Sequence, residues 1–182
     1  MSKLITTPVG TLSYPHLFKS RPKAEGSPDL VFSTVMLFNE QQMKSPAWKA
    51  MMQAVEEVAK AAYPKLILGK SLKSPFRLCE EKENFPKEYK YFFNAWSKIK
   101  PGVIDAGRNP IVDSSDVWGG QYARLSVDIY PWEHPTGGKG VNLGLQHVQI
   151  IRSEGLKRLD GRKPVEESFD DEFDQSDEDV DV

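Results

Sequence analysis

The chain has 182 residues, with 24 Lys+Arg, 26 Asp+Glu and a formal net charge of −2 at pH 7. Aromatic residues make up 10% of it, which is enough for the core of one domain of ordinary size. The single cysteine, Cys79, excludes an intramolecular disulfide, and the lack of a signal-peptide pattern or a long apolar run predicts a soluble intracellular protein without a membrane partner.

The charge is distributed unevenly along the chain. Residues 165–182 read VEESFDDEFDQSDEDVDV and hold ten carboxylates without a basic residue. The other residues therefore carry 16 acids against all 24 bases, a net of +8. A basic body with an acidic tail predicts a polyanionic partner such as nucleic acid. We divide the chain into a binding domain over residues 1–155, a basic hinge over 156–164 and a disordered tail over 165–182.

The first half of the chain predicts one strand and one helix. Residues 1–29 are rich in Pro, Ser and Lys, and we expect them to be extended with at most one edge strand. Leu30 to Phe38 is β-branched and aromatic and is the first clear strand. Ser45-Pro46 supplies an N-cap and a proline at the first helical position, and apolar residues at spacings of three and four then predict a helix over 46–62.

The second half predicts strands separated by Gly and Pro turns. The predicted segments are Leu66 to Leu68, Tyr89 to Ile99, Ile111-Val112, Tyr122 to Trp132 and Val141 to Ile151. Five or six strands with one inserted helix predict a mainly β protein, built as a small and partly open barrel.

Two of these strands alternate between two kinds of face. In the strand from Tyr122, the predicted core face carries Ala123, Leu125, Val127 and Ile129, and the other face carries Tyr122, Arg124, Ser126, Asp128 and Tyr130. In the strand from Tyr89, we assign to the core Tyr91, Phe93, Ala95, Ser97 and Ile99. The face left in solvent then carries Lys90, Phe92, Asn94, Trp96, Lys98 and Lys100.

Aromatic side chains among cations are what single-stranded nucleic acid requires of a binding surface. Cations neutralise phosphates, and flat rings stack on bases, which a duplex would hide. The alternative is that Phe92 and Trp96 lie under the helix while Tyr91 and Phe93 face outward, since aromatics fit any pleated surface.

Several motifs occur in a familiar order and spacing. They are Ile104-Asp105-Ala106, Asp113, Val117-Trp118-Gly119-Gly120, Ala123-Arg124, Tyr130 and Gly140-Val141. Residues 90–155 thus resemble the phage-encoded single-stranded DNA-binding proteins, and the acidic tail after a basic body is a second similarity. The resemblance implies an oligonucleotide/oligosaccharide-binding (OB) barrel that protects single-stranded DNA (ssDNA) in phage replication and recombination, in the bacterial host cytoplasm. It also implies a tail that contacts replication proteins such as polymerase or helicase.

The candidate site residues follow from the two faces and the resemblance. We expect DNA contacts from Lys90, Phe92, Trp96, Lys98, Lys100, Trp118, Tyr122, Arg124, Tyr130 and Lys139. Tails of this kind end in an aromatic residue in several of these proteins, whereas this chain ends in Val182. We therefore expect partner contacts from Phe169, Asp170, Asp171, Glu172, Phe173 and Asp174. The tail is expected to lie in the DNA groove until DNA displaces it; the alternative is that it only aids solubility.

Other chemistry is not expected. Residues 137–140 lack the Walker spacing, and His16, His134 and His147 lack metal-ligand spacing, so we expect no cofactor, no metal and no catalysis. Two other functions remain open. One is a metal-dependent nuclease or resolvase that uses Asp105, Asp113, Asp116, Asp128 and Glu133. The other is an acidic-tailed adaptor whose body binds protein.

Overall fold

The computed structural model describes residues 2–162 and 168–169. Helix α1 (Pro46–Ala62) lies between the third and fourth of eight strands. The strands are β1 (Lys3–Thr6), β2 (Gly10–Pro22), β3 (Leu30–Asn39), β4 (Arg77–Leu78), β5 (Tyr89–Ser97), β6 (Gly102–Ile104), β7 (Tyr122–His134) and β8 (Gly138–Arg152). Short 3₁₀ turns occur at Gln42–Lys44, Cys79–Glu81 and Ser114–Asp116.

Five strands close into a ring. β2 pairs with β3, β3 with β5, β5 with β8, β8 with β7, and β7 with β2. The β5–β8 pair is parallel and the other four pairs are antiparallel. If the five ring strands are numbered by their order along the chain, their order around the ring is first, second, third, fifth, fourth and back to first. This is the connectivity of an OB barrel. The predicted fold, a mainly β barrel with one inserted helix, is confirmed.

The remaining strands extend the barrel wall. β1 pairs with β7 beyond the short β2–β7 contact, and β6 pairs in parallel with β8 at His147 to Gln149. β4 adds two residues to the edge of β5. The sheet faces follow the alternation of the sequence: the predicted core face of β7 is fully buried, and Phe93 and Ala95 of β5 are buried with it.

Helix α1 closes one part of the barrel. The Oγ of Ser45 accepts a hydrogen bond from the backbone N–H of Trp48 at 3.3 Å, so the predicted N-cap is confirmed. The apolar face of the helix lies on the core through Trp48, Met51, Ala54, Val55, Val58 and Ala59. No helix among the described residues is both long and apolar enough to span a bilayer.

Several strand predictions were wrong. The first 29 residues hold two strands rather than one edge strand, because β2 runs for 13 residues and belongs to the ring. Its alternation is hidden by a register shift between Ser13 and His16, where Tyr14 has a φ of 45°. Leu66 to Leu68 and Ile111-Val112 lie outside the named strands, and β6 was not among the predicted strands.

The predicted exposure of Phe92 and the predicted burial of Ile99 were both wrong. Phe92 points away from the barrel core as predicted, but its side chain is only 1% exposed. A second apolar cluster covers it, formed by Leu37, Cys79 and Tyr89 with the partly buried Val35, Phe85 and Leu159. Ile99 lies beyond the end of β5 and is 80% exposed, so it is not a core residue.

The chain after β8 crosses the outside of the barrel. We call residues 156–162 the C-terminal strap. The backbone N–H of Leu159 donates to the carbonyl of Gly119 at 2.8 Å. A Cβ at Gly120 would lie 2.2 Å from the carbonyl oxygen of Lys157, and its φ is +114°, so the strap can lie here only over glycine. The strap therefore has a defined seat beside the Trp118-Gly119-Gly120 motif.

Candidate nucleic-acid interface

The outward side of β8 is unusually bare. Gly140, Asn142 and Gly144 point outward, while Val141 and Leu143 between them point into the core. Two of the three outward positions thus carry no side chain. The strand offers a shallow floor on which neighbouring side chains can lie.

Three aromatic side chains surround this floor. The ring of Tyr130 comes within 3.3 Å of the position that a Cβ would occupy at Gly144, and the indole of Trp132 within 2.5 Å of the same position at Gly140. Trp96 lies directly opposite Gly144 across the β5–β8 pair. All three rings are partly exposed. We call these five residues the β8 aromatic patch: Trp96, Tyr130, Trp132, Gly140 and Gly144.

Lysines lie against the patch at both ends. The Nζ of Lys23, from the β2–β3 connection, lies 4.0 Å from the ring centroid of Trp96. The Nζ of Lys73 lies 5.7 Å from that of Trp132, and backbone hydrogen bonds to the carbonyl of Lys139 and from the N–H of Val141 hold Lys73 there. A cation over an aromatic face is attracted to the ring, so each lysine is stabilised in this position. Each lysine also places a positive charge beside a ring, where it can neutralise a phosphate of a bound strand.

Trp96 also connects the patch to the outer faces of β3 and β2. Ser33 lies opposite Trp96, and His16 lies opposite Ser33. Arg21 donates a hydrogen bond to the Nε2 of His16 at 2.7 Å. Burial, and secondarily the charge of Arg21, lowers the pKa of His16 below its usual 6.5. The imidazole is therefore neutral at pH 7, and Arg21 provides the positive charge in this row.

A groove opens further along the same outer face. Its cavity of about 330 Å³ lies between Tyr14 and Phe85 on one side and Trp118 with Arg158 of the strap on the other. The ring centroids of Tyr14 and Phe85 are 6.3 Å apart, and the side-chain amide of Asn84 donates to the Tyr14 hydroxyl at 2.7 Å. We call this feature the Trp118 groove.

Arg158 is held in the groove by two neighbours. Its guanidinium lies 5.3 Å from the ring centroid of Trp118 and donates to the carboxylate of Asp160, at 2.8 Å from Nη2 to Oδ2. Hydrogen bonds from Arg158, and then from the backbone of Arg162, lower the pKa of Asp160 to about 2. The groove thus contains an aromatic ring, a cation and an anion already paired with that cation.

Gln121 fixes the loop that carries Trp118. Its side chain is buried, its carbonyl accepts from the N–H of Trp118 at 2.9 Å, and its amide donates to the carbonyl of Asp116 and the hydroxyl of Ser153. A buried amide with all these bonds made is costly to disturb, because breaking one leaves an unpaired polar group. The loop is therefore preorganised.

The structure brings some predicted DNA contacts together and separates others. Trp96 and Tyr130 both belong to the patch, and Lys139 lies at its hairpin end, 3.8 Å from Glu133 and 5.4 Å from the ring of Tyr63. Trp118 lies in the groove. Lys98 and Lys100 follow β5 and are exposed, with Lys100 5.7 Å from the ring of Phe18. Phe92 is buried, so it presents no ring to a base.

Three predicted contacts lie elsewhere. The guanidinium of Arg124 donates to the side chain of Gln149 at 2.7 Å, and Tyr122 lies 6.0 Å from the guanidinium of Arg152. Lys90 pairs with Glu40 at 3.7 Å. Their contact with DNA stays a prediction. Of the predicted tail residues, Phe169 is 77% exposed, and Asp170, Asp171, Glu172, Phe173 and Asp174 lie outside the described residues.

Sequence reasoning missed several residues of the patch and the groove. They are Tyr14, Lys23, Lys73, Phe85, Trp132 and Arg158. Trp132 could have been found, because it continues the outward face of Tyr130 two residues on. Gly140, which lies opposite Trp132, was a second signal, since an outward glycine in a strand indicates close approach of another group. Lys23 and Lys73 lie in connections between secondary-structure elements, and no sequence pattern predicts which strand a connection packs against.

The candidate acidic cluster does not assemble into a metal site. In the described part of the chain, no group of three or more His, Cys, Asp or Glu side chains is placed to hold a metal ion. Asp105 instead accepts the N–H of Asn109, and Asp113 accepts the N–H of Ser115, each at 2.9 Å. These aspartates form turns.

Comparison with known proteins identifies relatives of the whole chain. The family model described as Enterobacter phage Enc34, ssDNA-binding protein, matches residues 2–181. A search of curated proteins returned no match.

Solved structures show the same fold. The ssDNA-binding protein of bacteriophage Enc34 in complex with ssDNA matches with a TM-score of 0.66 and 19% identity, over 84% of this chain and 88% of that chain. A C-terminal truncation of the Enc34 protein gives 0.68 and 17%, over 85% and 88%. The gp2.5 ssDNA-binding protein of bacteriophage T7 gives 0.58 and 17%, over 100% and 99%.

Proposed function

This chain belongs to the phage single-stranded DNA-binding protein family described for Enterobacter phage Enc34, and we propose that it binds ssDNA through the β8 aromatic patch. The family is one of binding proteins rather than enzymes. The solved Enc34 protein in complex with ssDNA, which shares this fold, supports the same ligand here. We choose this surface because Trp96, Tyr130 and Trp132 lie around two outward glycines, with a lysine at each end.

The chemistry of the patch favours single strands of any sequence. Each exposed ring can stack on a base, which is worth about 1–3 kcal/mol per base and does not depend on base identity. Lys23 and Lys73 can exchange their aromatic partners for phosphates and release counterions. A duplex keeps its base faces stacked inside, so the rings would have no partner.

The biological role follows from ligand and family. We propose that the protein coats and protects ssDNA during phage replication and recombination in the cytoplasm of the bacterial host. Contact with replication proteins is part of the same proposal: the acidic tail, with Phe169 and Phe173, is the segment proposed to contact a polymerase or helicase.

The acidic tail is proposed to compete with DNA for the body. The C-terminal strap supports this, because Asp160 lines the Trp118 groove and accepts the backbone N–H of Arg162, which comes shortly before residues 165–182 in the chain. Its 18 residues would span about 20–25 Å as a flexible chain. Truncation after Pro164 is expected to raise ssDNA affinity most at low salt, where screening is weakest. Equal affinities of the two proteins at every salt concentration would contradict this role.

Titration with a dT oligonucleotide tests the proposed function. Quenching of tryptophan fluorescence by the oligonucleotide, reversed by salt, is expected for the full chain. Trp96→Ala and Tyr130→Ala should each weaken binding about tenfold. Lys60→Gln, on the exposed face of α1, is the control for surface charge and should bind as the unchanged protein does. Absence of quenching and of a mobility shift would overturn the proposal, and cleavage of the oligonucleotide with magnesium would favour the nuclease.

A further inference from the structure

The Trp118 groove is separate from the β8 aromatic patch but lies on the same side of the sheet. Ser13 forms part of the groove wall, and the row Ser13–Val35–Asn94 is adjacent to the row His16–Ser33–Trp96. A strand of nucleic acid that stacks on Trp96 can therefore continue along the outer faces of β2 and β3 into the groove.

We propose that the Trp118 groove takes one nucleotide of ssDNA, with its base against Trp118 and its phosphate at Arg158, and that Asp160 holds the phosphate position in the free protein. This inference rests on the proposed function and adds a second site to it. The site is built from four segments distant in sequence: the β2 bulge, the connection between β4 and β5, the Trp118 loop before β7 and the C-terminal strap.

The size and lining of the groove fit a nucleotide. Its volume of about 330 Å³ lies at the lower end of the range for small-molecule sites. Three rings border it, those of Tyr14, Phe85 and Trp118, and every base has a face that can stack on such rings. The groove carries few side chains able to read base edges, so we expect it to accept any base.

The aromatic walls are held in place before any ligand arrives. Tyr14 has a φ of 45°, a left-handed conformation that is strained for a side chain of this size. The hydrogen bond from Asn84 and the contact with Phe85 keep its ring at the groove. On the opposite wall, Gln121 fixes the Trp118 loop through the bonds described above. Preorganised walls lower the entropy lost on binding.

Arg158 and Asp160 form the charged end of the groove. The Nε of Arg158 donates to both carboxylate oxygens of Asp160, at 3.1 and 3.3 Å, and Nη2 donates to Oδ2 at 2.8 Å. A phosphate presents the same pair of acceptor oxygens to a guanidinium. Asp160 is exposed, so it can leave the guanidinium for water when a phosphate replaces it. DNA binding is thereby opposed by one ordered carboxylate, independently of the acidic tail.

Asp160→Asn in the full chain tests the competition between carboxylate and phosphate. The variant keeps an acceptor for the backbone N–H of Arg162 but loses the negative charge that pairs with Arg158. It is expected to bind a dT oligonucleotide roughly two- to fivefold more tightly, the change that corresponds to one exposed ion pair. Glu154→Gln is the matched control, since it removes an equal charge from an exposed residue outside the groove. Equal affinities of the two variants would overturn the role of Asp160.

Two further measurements test the nucleotide site itself. Arg158→Gln is expected to reduce the slope of log affinity against log salt by about 0.7, the value for one phosphate contact on a single strand. In a Trp96→Phe, Trp132→Phe background, the oligonucleotide should still quench fluorescence, because Trp118 is then the partly exposed tryptophan and Trp48 is buried.

The outcomes separate this inference from the proposed function. If the unchanged protein does not bind ssDNA, both the proposed function and the nucleotide site in the Trp118 groove are overturned. Binding with an unaltered salt slope in Arg158→Gln and no quenching in the double variant would overturn the groove alone. Equal midpoints of thermal unfolding for Asp160→Asn and Glu154→Gln would show that the strap remains seated in both.

Discussion

Trp96 lies directly opposite Gly144 across the parallel β5–β8 pair, on the side of the barrel that faces away from the core. The next strand places Asp128 opposite Gly144, and the ring of Tyr130 comes to 3.3 Å from the missing Cβ. One glycine of β8 thus separates two aromatic side chains on β5 and β7, the strands that pair with β8 on its two sides. Because its position is empty, both rings can be reached by one nucleic-acid strand.

Gly144→Val should weaken ssDNA binding with little loss of fold. The new side chain would push the Tyr130 ring from its place, and removing one stacking platform costs about tenfold in affinity. A β-branched residue suits a strand, so we expect the midpoint of thermal unfolding to change little. Gln146→Val, at an exposed position of β8, is the control. Unchanged dT affinity in Gly144→Val would show that the strand does not cross here.

Phe92→Ala should mainly lower stability, whereas Trp96→Ala should mainly lower ssDNA affinity. Phe92 is 1% exposed in its own cluster, so its truncation is expected to lower the free energy of unfolding by about 3–5 kcal/mol, with little change in ssDNA affinity below the transition. Trp96 is partly exposed, so its loss should lower affinity and change stability by about 1 kcal/mol or less. Urea unfolding and dT titration measure the two quantities. A larger affinity loss for Phe92→Ala would contradict the assignment.

The contrast between these two residues shows what the sequence could predict. Alternation along β7 predicted its core face, and Ser45-Pro46 with apolar spacing predicted α1 with its bounds. Alternation also placed Phe92 and Trp96 on the outward side of β5. It could not show that Phe92 is covered, because the cover comes from Phe85, in the irregular connection before β5, and from Leu159 of the distant C-terminal strap.

Other parts of the site were hidden for related reasons. The register shift near Tyr14 interrupts the period of β2, so a ring strand had the pattern of a loop. Lys23 and Lys73 reach their rings from connections, and no periodicity describes where a connection lies. The resemblance to phage ssDNA-binding proteins predicted the ligand and the barrel. The β8 aromatic patch, which we propose as the binding surface, could be identified only from the structure.

Lys23→Gln and Lys73→Gln should each reduce the salt dependence of binding. If each lysine contacts one phosphate, the slope of log affinity against log salt falls by about 0.7 in each variant and by about 1.4 in the double variant. Lys60→Gln should leave the slope unchanged, because Lys60 lies on α1 close to Glu56. Slopes equal to that of the unchanged protein in both lysine variants would exclude them from the DNA path.

The pKa of Asp160 should depend on Arg158. The value of about 2 lies below the usual 3.8, so this carboxylate stabilises the strap fully above about pH 4 and loses that contribution as the pH falls towards 2. An NMR titration of the carboxyl carbon should show the low pKa in the unchanged protein and a higher pKa in Arg158→Gln, which stays below 3.8 because the backbone N–H of Arg162 still donates to the carboxylate. A pKa that stays near 2 in the variant would show that another group holds the charge.

Photo-crosslinking tests the central claim most directly. A dT oligonucleotide with photoreactive bases is irradiated with the full-length protein at low salt, and the attached peptides are mapped by mass spectrometry. We predict crosslinks at Trp96, Tyr130 and Trp132, with their yield reduced by salt and by unlabelled dT. Crosslinks confined to Tyr122 and Arg124 at the other end of β7, with none in the β8 aromatic patch, would contradict the account.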